Sequence, residues 1–217
     1  MKGFEMDKRL IIMGAGGFGR EVLQYAQHIN AIEKRWSFIG FLDTDPEALK
    51  GKKCTAEVIA SDAEYVIQPN DEFTCAIGQG NLRKKVMSAM KERGARFVNI
   101  IHPTAIIADS ATLGEGIVVC PHVLISADVT VGDGCVFNAY SSIGHDAVIG
   151  EYSIINSYCN ITGGCELGNN VFMGTSSHIV PGICVGKNAY ICAGSTVVTK
   201  IKPNTKVFGN PAMKIDF

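Results

Sequence analysis

Between Phe97 and Gly186 the chain has no lysine and no arginine, although seven acidic residues fall in that stretch. Ninety residues without a basic group cannot neutralise a phosphate backbone, which excludes nucleic acid as the partner of this half. No apolar run reaches the roughly 18 residues that a bilayer span needs, which excludes a membrane helix. The opening MKGFEMDKRLIIMG is too acidic, and its apolar stretch too short, for a secretory signal, so a cytoplasmic location is expected. The eight cysteines include no CxxC pair, and no Cys/His cluster has ligand spacing; neither a disulfide framework nor a metal is expected. With 47% hydrophobic and 19% charged residues, what remains is a globular chain long enough for two modest cores.

What is present begins with a repeat. Stepping by six from Ile101 meets Ile107, Leu113, Val119, Ile125, Val131, Phe137 and onward to Val197, seventeen positions that are all large and apolar. Chance would give this in roughly one register in 10⁵ if half of residues are apolar. Four residues after each comes a small or medium residue, Cys135, Cys159 and Cys165 among them, so these thiols are expected to pack rather than react. Glycine recurs just after the apolar position, at Gly114, Gly132, Gly144, Gly150, Gly168, Gly174 and Gly186. A period of six fits neither an amphipathic helix nor simple strand alternation. It fits a three-sided coil, 18 residues per turn, stacked as parallel strands about 4.8 Å apart, with five to six coils.

The first hundred residues read differently. Arg9–Met13 is expected as a buried strand, with GAGGFG (Gly14 to Gly19) directly after it and a helix from about Gly19. Trp36–Leu42 reads as a second strand ending at Asp43, 24 residues past the last glycine. Phe73–Ile77 reads as a third strand, followed by a helix over Asn81–Gly94. That context gives a G-x-G-x-x-G turn its meaning: backbone approaches a pyrophosphate at a helix N-terminus. NAD and the nucleotide of an activated sugar both fit such a turn. About 100 residues leave no room for a second mononucleotide half, which favours the sugar nucleotide. The domains expected are therefore 1–100, an α/β half-Rossmann domain binding a nucleotide sugar, and 101–217, an all-β parallel β-helix with a C-terminal tail.

Five histidines are candidates for proton transfer near neutral pH. His28 belongs to the first helix, His102 opens the repeat in IHPTA, and His122 and His178 are assigned to the outer surface. His145 follows Gly144 at a coil corner and precedes Asp146, a carboxylate able to fix its tautomer. Asn138 and Asn156 are 18 residues apart, so they are expected to stack near that corner, as substrate contacts or as a structural ladder. Lysines return only at Lys187, Lys200, Lys202, Lys206 and Lys214, consistent with an anionic ligand or with simple solvation.

GAGGFGREV, GFLDTD, AIGQGNLRKKV, IHPTA, SSIGHDAVIG and the closing ICAGSTVVTKIKPNTKVFGNPAMKI together resemble the sialic acid O-acetyltransferase / nucleotide-amino-sugar N-acetyltransferase family of hexapeptide-repeat proteins. The resemblance implies a left-handed coil, a homotrimer with acyl-CoA in the groove between neighbouring β-helices, and acetyl-CoA as co-substrate. It also implies His145 as general base with Asp146 supporting it, and a nucleotide-linked amino sugar held by Gly16, Gly17, Phe18, Asp43, Thr44 and Gly78, with Asn138 near the acceptor. For the cofactor it implies Asn156, Gly174, Thr175, Ala193 and Gly194, with Lys200, Lys202 and Lys206 toward the phosphates, Pro211 toward the adenine, and Ile154 only as packing. The chain departs from many members in having Phe18 where they carry histidine and Asp43–Thr44 where they carry an acidic pair, and from some in having Ile154 where they carry a second histidine. The activity implied is N-acetylation of an amino sugar, a 4-amino-4,6-dideoxyhexose, for surface glycan synthesis. The alternatives are O-acetylation of a sialic acid or related sugar, and a non-catalytic trimeric rod.

Overall fold

The computed structural model describes residues 7–215, which fall into two compact units dividing between Ile100 and Ile101. The first is built on β1 (Arg9–Met13), α1 (Gly17–Glu33), β2 (Phe38–Leu42), β3 (Val58–Ala60), β4 (Asp71–Cys75) and α2 (Gly80–Glu92). Its four strands form one parallel sheet in the order β3-β2-β1-β4. β1 lies inside the sheet, with Leu10, Ile11 and Ile12 wholly buried, so it reads as a continuous apolar run. α1 buries Val22, Leu23, Ala26 and Ile29, a helical stripe. It stops at Lys34, which takes a left-handed conformation and returns its N–H to the Asn30 carbonyl.

Several elements differ from the sequence expectation, β2 starting at Phe38 rather than Trp36 and α2 running Gly80–Glu92 rather than Asn81–Gly94. α1 begins at Gly17, two residues early, because two glycines disguise a first helical turn that tertiary context holds. β3 has no period to announce it: three residues, all half-buried. β4 begins at Asp71 rather than Phe73, since both acids at its start are buried and paired. Glu72, 3% exposed, accepts from the Trp36 indole N–H at 2.9 Å and pairs with Lys8 (3.1 Å), Arg35 (3.2 Å) and Arg96 (2.8 Å). Asp71 accepts from the Tyr65 hydroxyl at 2.8 Å and faces Arg9. Burial first, then Asp71, pushes Tyr65 up to about 12.

The second unit is the stacked coil. Seventeen two-residue strands run from Ile100–Ile101 to Thr196–Val197, and each ends on the apolar residue that the step of six picks out. They line three parallel faces, and partners across the stack are 18 residues apart, as in Val118↔Val136 and Ile143↔Ile161. From Val119 onward every one of those apolar residues is buried, while Ile101, Ile107 and Leu113 at the first coil are half-buried. Cys135, Cys159 and Cys165 are interior, and burial raises the Cys159 thiol, so packing is what they do. The face carrying Tyr190–Ile191 is extended by Lys206–Phe208, on which Met213–Lys214 folds back antiparallel.

Every corner is a two-residue turn whose second residue often has positive φ without being glycine: His122, Asp128, Tyr140, Asp146, Tyr158, Asn170, Ser176 and Asn188 among them. Left-handed residues there turn the chain by one face, and most of their side chains reach solvent, Tyr152 being a buried exception. The corners are therefore where the β-helix can carry chemistry.

Candidate active site and nucleotide cradle

In the first unit the four fingerprint positions divide by physical need. Gly14 has φ +96°, and a Cβ on Gly19 would strike the Gly14 carbonyl oxygen, so the turn and the strand–helix approach require both. Nothing lies within 4 Å of where a Cβ on Gly16 or Gly17 would stand. These two glycines leave open space at the start of α1, whose N-cap Gly16 has no side-chain cap. The first-turn N–H groups of a helix have no intrahelical partner, so they and the dipole favour an anion there. Phe18 beside them is half-exposed.

Asp43 sits at the end of β2 and works within the fold. Its Oδ2 accepts from the Ala15 N–H at 2.8 Å and its Oδ1 from the Asp45 N–H at 3.0 Å, tying the glycine turn to the strand end. A hollow of about 220 Å³ opens here, lined by Met13, Gly14, Leu42, Asp43, Thr44, Asp62, Ile77, Leu82 and Val86. Gly78 is exposed beside it without lining it. Sequence reasoning gave no role here to Asp62, Leu82 or Val86: Asp62 lies in no quoted motif, and Leu82 and Val86 in AIGQGNLRKKV were read only as part of a helix. It also missed Arg83, wholly buried on α2, whose Nη1 donates to the Ile77 carbonyl at 2.7 Å and so props the AIGQG loop. Cys75 at the end of β4 is no nucleophile: burial pushes its thiol up to about 11. Another hollow of the unit, about 440 Å³, is lined by residues including Lys8, Asp71, Glu72 and Arg96, at the other end of the strands from the glycine turn.

In the β-helix His145 and Asp146 occupy one corner turn, with their side chains 70% and 64% exposed. Asp146 has φ 59°, and its Oδ2 lies 2.6 Å from His145 Nδ1. A proton held on Nδ1 by that carboxylate leaves Nε2 with a lone pair, the tautomer that a base needs. The backbone beneath is fixed: Gly164 N–H donates to the His145 carbonyl at 2.8 Å and Asp146 N–H to the Ala127 carbonyl at 3.1 Å.

The asparagines stack, but at a different corner. Asn138 Nδ2 donates to Asn156 Oδ1 at 3.2 Å, and Asn156 Nδ2 donates to the Met173 carbonyl at 2.7 Å. Each directly follows a strand, Val136–Phe137 or Ile154–Ile155, whereas His145 follows Ser142–Ile143 on the next face. The expectation of a shared corner fails because positions seven residues apart are separated by a whole face of the coil. Gly174–Thr175 and Ala193–Gly194 continue the asparagines' corner on the following coils, with Gly194 N–H donating to the Thr175 carbonyl at 2.9 Å. Ile154 is 6% exposed and packs in register between Val136 and Phe172. Lys200, Lys202 and Pro211 are exposed. Lys206 is half-buried and lies over the Tyr190 ring, 5.1 Å from its centroid, so its charge already has a neighbour. His28 is exposed beside Gln24, and His102 is buried against Thr104. His122 stacks on Tyr140, and Tyr140 on Tyr158. His178 is exposed on the face of Ser142 and Asn160.

The chain thus joins a parallel α/β unit with a glycine turn to a hexapeptide-repeat β-helix, and the comparisons recognise both parts. Family models agree: the PglD N-terminal domain matches residues 9–90, and bacterial transferase hexapeptide (six repeats) matches residues 128–163. The chain carries both domains, one in each compact unit. UDP-N-acetylbacillosamine N-acetyltransferase of Bacillus subtilis (strain 168) is 29% identical over 114 residues, 52% of this chain and 51% of its own, so the chain matches about half the length of that curated relative. The acetyltransferase domain of PglB from Neisseria gonorrhoeae FA1090, solved with acetyl coenzyme A, has the same fold, with a TM-score of 0.89 at 24% identity over 97% of this chain and 100% of that one. PerB from Caulobacter crescentus, solved with CoA and GDP-perosamine, gives 0.86 at 27% identity over 95% and 97%.

Proposed function

We propose that the protein is an acetyl-CoA-dependent N-acetyltransferase acting on a nucleotide-linked amino sugar, a 4-amino-4,6-dideoxyhexose, with His145 as general base. One observation carries the reading: an exposed imidazole whose Nδ1 is held 2.6 Å from a carboxylate, leaving Nε2 free of that contact at a corner of the stacked coil. The neutral amine attacks the thioester carbonyl carbon and a C–N bond forms. Nε2 takes the ammonium proton, the C–S bond breaks, and the imidazolium returns the proton to the CoA thiolate. No acyl-enzyme is needed. The names of the relatives support the class, since one acts on a UDP-linked sugar and another was solved with a GDP-linked one.

The open glycines Gly16 and Gly17, the start of α1 and the hollow beside Asp43 and Thr44 supply the place for the nucleotide diphosphate and base, with Gly78 and Phe18 at its margin. Asn156, Gly174, Thr175, Ala193 and Gly194 form one ridge for acetyl-CoA that Pro211 continues in the tail, Asn138 stands at its head toward the acceptor, and Lys200 lies at the corner of His145 at the end of the stack. Assembly as a homotrimer in the cytoplasm belongs to this reading. No helix among the described residues is long and apolar enough to cross a membrane.

The test is thiol release from acetyl-CoA over a panel of UDP-, dTDP- and GDP-linked amino sugars, with free sialic acid included. Turnover with an amino sugar nucleotide is expected, and His145→Ala is expected to lower it on the order of 10²–10⁴-fold. Near-full turnover by that variant rejects His145 as the base. Turnover only with the free sugar acid replaces N- by O-acetylation.

A further inference from the structure

His145 and Gly163 occupy the same corner position in successive coils, 18 residues apart. A Cβ built on Gly163 would stand 2.7 Å from both Cε1 and Nε2 of His145 and 3.2 Å from its Cδ2. Real Cβ atoms do not approach so closely, so the imidazole occupies the space of the side chain that Gly163 lacks. The other glycines of the stack that would clash, such as Gly144 and Gly168, meet backbone of the next coil, which is the ordinary demand of coil stacking. Gly163 alone among them meets only a side chain, and that side chain is His145. Its own φ is not positive, so the backbone would accept alanine. Ala127, one coil before His145 in the same column, shows that a methyl fits this corner position.

We propose that Gly163 is a positioning residue for His145: its missing side chain seats the imidazole flat over the next coil, with Nδ1 on Asp146 and Nε2 held at one place. The inference rests on the proposed role of His145 as base. A methyl at 163 must swing the ring, break or lengthen the 2.6 Å contact to Asp146, and move Nε2. Such displacement acts on the chemical step rather than on binding, because neither the glycine turn nor the asparagine corner is touched.

Gly163→Ala is therefore expected to lower kcat about 10- to 100-fold, with KM for both substrates within about twofold. Ala111→Gly, a change at the same corner two coils away from the ring, is expected to leave kcat at the wild-type value. The His145 ring ¹⁵N and ¹³Cε1 signals should move in Gly163→Ala. That variant should also lower the urea midpoint in the His145 background but not in the His145→Ala background, where the ring is gone. Unchanged ring signals, or an equal loss of stability in both backgrounds, overturns the seating. A wild-type kcat in Gly163→Ala overturns its importance for the reaction. If the wild-type protein transfers no acetyl group, the role of His145 falls, while the ring signals and the two-background comparison still decide the seating.

Discussion

The two units put polar groups in opposite places. The α/β unit buries them: Glu72 receives three cations and an indole N–H, and Arg83 is wholly enclosed behind the AIGQG loop. The β-helix keeps charge out of its interior, where apolar residues alternate with serines, alanines and cysteines, and places polar chemistry at corners. A single sheet with helices has ends that must be closed, and paired charges close one of them. A stack of coils has no such ends along its length, so each corner side chain is free for ligands or for ladders with its neighbours.

The largest expected effect comes from the dry interior. Phe137 is wholly buried in the coil, and Phe137→Ala should cost about 3–5 kcal/mol. Trp36, the chain's one tryptophan, lies in the other unit, so the two probes separate the regions. The far-UV transition of Phe137→Ala should move further than the transition followed by tryptophan fluorescence. Equal movement would show that the two units unfold as one.

Next is the buried charge. Glu72→Gln keeps the shape and removes the acceptor charge; because the cations can turn to water, the cost should be on the order of 2 kcal/mol. Here the fluorescence transition should lead. Burial pushes the Glu72 carboxyl up, but the Trp36 N–H and Lys8 hydrogen bonds, with the charges of Arg35 and Lys8, outweigh it and hold it below the usual value. A lowered carboxyl favours the fold above the ordinary glutamate range, about 4.3, and that share is lost as pH falls through the lower folded value. Urea midpoints between pH 3 and 6 should fall with acid in the wild-type protein and fall less in Glu72→Gln.

The same contrast explains what could be read from sequence. Seventeen strands ended where the step of six put them, because in a stack each residue's place depends only on its position within its own hexad. The corner of His145 and Asp146 was legible for the same reason. The relation between Asn138 and His145 was misjudged, since the period gives the position in a coil but must be counted face by face. In the α/β unit the start of β4 was hidden by acids whose partners come from Lys8, Arg35 and Arg96, distant in sequence. Asp62 had no local signal, and within AIGQGNLRKKV nothing told the buried Arg83 from the exposed Lys84 and Lys85 beside it. Gly163 was one more glycine in ITGG until the ring above it was placed.

The smallest effect tests whether corner ladders stabilise the stack or merely decorate it. Asn188 accepts from Asn170 Nδ2 at 2.9 Å and donates to Asn204 Oδ1 at 2.9 Å, and it does so with φ 57°. Asn188→Ala removes both exposed hydrogen bonds and puts a residue poor at left-handed conformations in that place, for about 1–2 kcal/mol in all. Asn188→Gly removes the same bonds while relieving the backbone. If the ladder matters, the two variants should lose comparable stability by urea denaturation. If Asn188→Gly matches the wild-type protein while Asn188→Ala does not, asparagine is there for its backbone, and the corners of this coil are left free of structural duty for their side chains.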